Sequence, residues 1–133
     1  MPAFIVAIFL AAHGLVHASY AQTPPPAQGS GPAWPFYLDH SWLLTPLGLD
    51  AGATRAVGLL LIAAVVAGYA VAALAVLGVA PGSWFLPAVV GASGLSAVML
   101  GLFFTPWIVL GLAIDAVLVG AAIAMSWRPG AAL

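Results

Sequence analysis

Two histidines four residues apart, and one aspartate far down the chain, are the residues best placed to do chemistry. His13 and His17 share one face of a helix, because positions i and i+4 lie one above the other, and Tyr20 continues that face. Asp115 sits in Gly111-Leu112-Ala113-Ile114-Asp115-Ala116-Val117-Leu118, with no other charged residue nearby in sequence. A carboxylate in so apolar a run costs several kcal/mol unless it is protonated or paired, and that cost turns it toward the interior of a helix bundle.

Helical rise places these residues in depth. Counted back from Ala21, His13 lies roughly 12 Å below the surface formed by the long first loop, and His17 roughly 6 Å below it. Asp115, counted from Trp107, and Ser96, counted back from Phe104, both come out at roughly 12 Å. One layer therefore receives His13, Ser96 and Asp115. His17 stands above it, toward Asp39, His40 and Arg55 near the loop, so a polar track from the surface to a buried His13–Asp115 centre is expected. Such a track suits a proton or a small solute. A buried Asp–His hydrogen bond can equally hold two helices together with no turnover or transport.

Other chemistries find less support. His-x-x-x-His is the spacing of zinc proteases, but Gly14 follows His13 where those enzymes carry the glutamate. Should a metal bind, His13, His17 and Asp115 are its ligands, with His40 as a fourth. Haem held between spans needs an axial ligand on a second helix, and the three later helices offer no histidine, leaving Met99 as the alternative. No metal or haem is expected as a resident cofactor. Cysteine is absent, which removes thiolate catalysis and Cys-based metal sites. Asp39, His40 and Ser41 have the letters of a hydrolytic triad, yet consecutive residues cannot converge as that geometry demands. Nothing marks a nucleophile or a cofactor fingerprint, so an enzyme is not expected. A formal charge of −1, with two arginines and no lysine, offers no grip on nucleic acid, which binds clustered cations.

The elements that must position these residues follow from composition. Hydrophobic residues make up 65% of the 133-residue chain and charged residues 4%, where a soluble domain has roughly 25% charged. Lipid is the solvent in which such a surface is stable. Spans of about 20 apolar residues predict an all-α bundle of four transmembrane helices over about residues 3–21, 51–79, 84–104 and 106–127. These form one domain over residues 1–133, with a long interfacial first loop at 22–50. The loop opens with the proline-rich run QTPPPAQGSG, which cannot be helical. It continues into Trp34-Pro35-Phe36-Tyr37 and Trp42-Leu43-Leu44, aromatic anchors suited to the headgroup zone. Asp50 is a good N-cap for the second helix. Ala80-Pro81-Gly82-Ser83 and Thr105-Pro106-Trp107 supply the later turns, and Trp127-Arg128-Pro129-Gly130 stops the fourth helix.

Small residues recur at four-residue spacing: Ala64, Gly68 and Ala72; Ser93, Ala97 and Gly101; Ala116, Gly120 and Ala124. Small side chains let helices in lipid approach closely. Ser19-Tyr20-Ala21 resembles a signal-peptide cleavage site, but the segment lacks a basic start and carries two histidines, so the first helix is read as a retained span. Four crossings put both termini on one side. Arg55 and Arg128 balance one another under the positive-inside rule. The Pro-rich, aromatic loop decides the matter as an external cap, with cytoplasmic termini.

Three stretches carry a resemblance: His13-Gly14-Leu15-Val16-His17, the run from Trp34-Pro35-Phe36-Tyr37 through Asp39-His40-Ser41-Trp42-Leu43-Leu44, and the segment around Asp115. Together they resemble a group of uncharacterised small four-helix bacterial integral membrane proteins, similar in overall plan to the DoxX type. The resemblance implies a multi-pass protein of the bacterial inner membrane and brings no activity with it. The expectation is an accessory or assembly subunit of a larger membrane complex, or a homo-oligomer, in the lipid bilayer. The alternative is a proton-linked solute transporter or ligand binder working through His13, His17 and Asp115.

Overall fold

The computed structural model describes residues 3–22, 36–103 and 108–124, and these contain four α-helices and no strand. They are α1 (Ala3–Ser19), α2 (Ala51–Val76), α3 (Phe85–Leu102) and α4 (Val109–Ala124), with a single 3₁₀ turn (Gly82–Trp84) leading into α3. Most of the proline-rich run, Trp34 and Pro35, the break at 105–107 and the stop at 127–130 with Arg128 lie outside the described residues.

Two segments, Ala51–Val76 and Gly82–Leu102, are long and apolar enough to cross a membrane. The helices α1 and α4 are apolar but shorter, at 17 and 16 residues. At about 1.5 Å per residue each covers roughly 25 Å, a little less than the roughly 30 Å hydrocarbon core.

The ends of α2 show how local sequence sets an element. Asp50 is extended, and its carboxylate accepts a hydrogen bond from the Ala53 amide at 2.7 Å, as expected of an N-cap. At the other end Gly78 takes a positive φ of 73°. Its amide bonds to Ala75 O and the Val79 amide to Leu74 O, so the paired bonds of a glycine C-cap satisfy carbonyls the helix leaves open. The turn therefore begins at Gly78, ahead of the Ala80-Pro81-Gly82-Ser83 segment read from sequence, because only glycine reaches that backbone conformation without a steric cost.

Each helix packs on the next: α1 on α2, α2 on α3 and α3 on α4. The closest approach pairs α2 with α3 at Gly68, where a Cβ would stand 2.8 Å from the Ala92 Cβ. Much of the small-residue pattern faces elsewhere: Ala64, Ala97, Ala116 and Gly120 are exposed. Two apolar clusters fill the interior. One gathers Val6, Leu10, Val65, Val76, Phe85, Val89 and Ala122; the other gathers Phe36, Leu38, Ile62, Met99, Leu100, Phe103 and Ile108.

Residues 36–50 form a compact cap on the second cluster. Phe36, Leu38 and Ser41 are buried. Ser41 Oγ donates to Leu102 O at 2.6 Å and accepts from the amides of Leu43 and Leu44, while the Trp42 indole N–H donates to Gly101 O at 2.7 Å. Carbonyls at a helix C-terminus have no partner within the helix. Here the loop supplies donors for two of them.

Candidate functional site

On α1, α3 and α4 the buried polar residues fall between the two apolar clusters, and on α2 Tyr69 belongs to the first cluster and turns its hydroxyl to the same layer. On α1 the buried face runs Val6, Leu10, His13, Gly14, His17, so the histidines occupy the inward stripe a helical period prescribes. Gly14 lets α2 come close, since a Cβ there would stand 3.4 Å from the Tyr69 Cβ. The helix α2 brings Tyr69, α3 brings Ser93 and Ser96 one turn apart, and α4 brings Asp115. All six side chains are buried.

Asp115 is the hub. His13 Nε2 lies 3.0 Å from its Oδ1, and the Tyr69 hydroxyl donates to the same oxygen at 2.6 Å. Ser96 Oγ lies 2.5 Å from Oδ2. Because the single Tyr69 proton points at Asp115, the Ser93 hydroxyl, 2.9 Å from the Tyr69 oxygen, is the donor in that pair. His17 turns back on its own helix: Nδ1 donates to the His13 carbonyl at 3.0 Å, and Nε2 faces Ser96 Oγ at 2.6 Å. The rings of His13, His17 and Tyr69 meet edge-on or tilted, with centroids 4.8–6.1 Å apart.

The layer expected at one depth is thus assembled, with His13, Ser96 and Asp115 in direct contact. His17 belongs to the same network, not to a level above it, because its ring folds down onto Ser96. The residues over His17 are aromatic. Tyr20 meets the His17 ring edge-on at 5.7 Å and stacks on Phe36 at 4.6 Å, and Phe36 in turn lies 5.4 Å from Phe103. Asp39 and His40 are exposed and Arg55 half-buried. The hydrogen bonds of the network do not extend to them.

Tyr69 and Ser93 escaped the sequence reading. The signal for Tyr69 was present: it is the one side chain with a hydroxyl in the otherwise apolar stretch from Ala56 to Gly78. Ser93 was read only as a small packing residue.

The donor atoms of His13, His17 and Asp115 lie within 4.8 Å of one another, so the three-residue set that could face a metal converges in space. His13 bonds directly to Asp115, and His17 reaches the same carboxyl through Ser96. A carboxylate held by three donors, beside two imidazoles, can fix helices in register or hold a proton away from water. The chain matches no family model, no curated protein and no solved structure.

Proposed function

We propose that the chain is a four-span protein of the bacterial inner membrane that serves as an accessory or assembly subunit of a larger membrane complex. In this reading the polar network holds its helices in fixed register. One observation carries it: Asp115 on α4 is hydrogen-bonded to side chains of α1, α2 and α3. A carboxylate already engaged by three helices of its own chain is poorly placed to take a substrate, so the function falls to the outer surface. There a groove of about 460 Å³ lies between α1 and α2, lined by residues that include Phe4, Ala7, Ala11, Ala70, Ala73 and Leu77. Its small residues suit close approach of another apolar helix, whether from a partner or from a second copy. Both termini face the cytoplasm and the aromatic loop faces outward.

Crosslinking in native membranes followed by gentle extraction tests the proposal. The expected result is a larger species containing this chain, lost on Ala11→Trp while helical content is retained. A solitary monomer before and after substitution overturns it.

The convergence of His13, His17 and Asp115 favours a second reading, a proton-linked small-solute transporter or ligand binder. It requires pH-dependent binding or flux in reconstituted vesicles, abolished by Asp115→Asn in a folded protein. If Asp115→Asn changes only thermal stability, the network is structural.

A further inference from the structure

Counting protons in the network leads to a conclusion that stands whichever reading of function holds. Four donors come first. The His13 carbonyl has no proton to give, so His17 Nδ1 must carry one. Tyr69 donates to Asp115 Oδ1, and His13 Nε2 donates to the same oxygen whenever that oxygen carries no proton of its own. Ser93 donates to Tyr69.

The chain of atoms from His17 Nε2 through Ser96 Oγ to Asp115 Oδ2 is different. Its two links measure 2.6 Å and 2.5 Å, both hydrogen-bond distances, yet Ser96 has a single proton. With Asp115 ionised and His17 neutral, Ser96 would donate to the carboxylate. The lone pair of His17 Nε2 would then face a lone pair of Ser96 across 2.6 Å. That contact is repulsive, because neither atom has a proton to place between them. The network as built is one proton short of completion.

We infer that His17, Ser96 and Asp115 form a binding site for one proton, held in common by the imidazole and the carboxylate and passed between them through the Ser96 hydroxyl. Two arrangements satisfy every atom. In the first, His17 is an imidazolium that donates from Nε2 to Ser96, and Ser96 donates to the Asp115 carboxylate. In the second, neutral Asp115 donates from Oδ2 to Ser96, and Ser96 donates to the bare Nε2 of neutral His17. Going from first to second breaks the Nε2–H bond and the original Ser96 O–H bond. It forms a new Ser96 O–H bond and an Oδ2–H bond, while the opposite charges on His17 and Asp115 cancel. With His13 a neutral imidazole the cluster is neutral overall in both, which suits a site in an apolar layer. The other groups facing the pair are His13 from α1, Tyr20 just beyond α1, Tyr69 from α2 and Ser93 from α3, and none of them exchanges a proton between the two arrangements.

The chain's three histidines and three acidic residues, all aspartates, make the test tractable. Protein labelled with ¹⁵N-histidine and ¹³C-carboxyl aspartate is reconstituted in phosphatidylcholine bilayers and read by solid-state NMR at neutral pH. Asp115→Asn and His17→Gln assign the two signals. The expected result is that the protons on His17 Nε2 and on the Asp115 carboxyl sum to one, with Nδ1 protonated throughout. An ionised Asp115 beside a bare Nε2 overturns the inference, as does a neutral acid beside an imidazolium, or one equivalent of bound metal by elemental analysis. In Ser96→Ala the bridge is gone, and the two groups should change protonation at separate pH values, with loss of the common step. A common step that survives in Ser96→Ala also overturns it.

Discussion

At Asp115 the two carboxylate oxygens do different work. Oδ1 accepts from His13 and Tyr69, whereas Oδ2 faces only Ser96 among the described residues. An asparagine can reproduce this division. Its Oδ1 accepts from the same two donors, and its amide N–H donates to Ser96, which is then free to donate to His17. Only its second amide N–H is left without a partner, so Asp115→Asn is expected to cost about 1–2 kcal/mol. Asp115→Ala strips three donors of their shared acceptor and should cost about 3–5 kcal/mol, the range for breaking a buried polar pair. Chemical unfolding in mixed micelles compares the two. Equal losses would mean that the charge of Asp115, not its hydrogen-bond pattern, sets stability.

Glycines separate the helix contacts that matter from those that only look alike in sequence. Gly68→Val pushes a side chain into Ala92, where a Cβ already stands 2.8 Å away, and should destabilise by about 1–3 kcal/mol. Gly91→Ala enters open space on α3 and should stabilise by about 0.5–1 kcal/mol through helix propensity alone. Thermal unfolding of the two variants checks both signs. Sequence spacing could not tell these glycines apart, because four-residue repeats of small residues arise freely in a chain so rich in alanine and glycine. Depth counting succeeded for His13, Ser96 and Asp115 because helical rise is constant and each helix had an identifiable end. It placed His17 too high because rise locates a Cα, while the ring reaches back along its own helix. A cap in the long loop is legible in the sequence, but its fastening is not: hydrogen bonds from Ser41 and Trp42 to carbonyls about sixty positions away leave no local pattern.

Over the whole molecule, the polar layer lies between two apolar tiers, and an outer surface rich in Leu, Val, Ile and Phe surrounds all three. Such a surface suits lipid. With no cysteine in the native chain, single substitutions report topology cleanly. Under four crossings with an external loop, Asp39→Cys should react with a membrane-impermeant maleimide in intact cells. Ala3→Cys and Gly78→Cys should react only after permeabilisation. Labelling of Ala3→Cys together with Asp39→Cys in intact cells would show that α1 does not cross.

The position of the hub on the last helix also orders events during synthesis. His13, His17, Tyr69, Ser93 and Ser96 all leave the ribosome before the carboxylate that organises them. A nascent chain stalled ahead of Ile108 carries these five polar side chains with the Asp115 acceptor still missing. Arrival of α4 brings that acceptor to helices that already pack α1 on α2 and α2 on α3, so a chain cut short before Ile108 leaves the Tyr69 hydroxyl and the His13 ring without the partner they share.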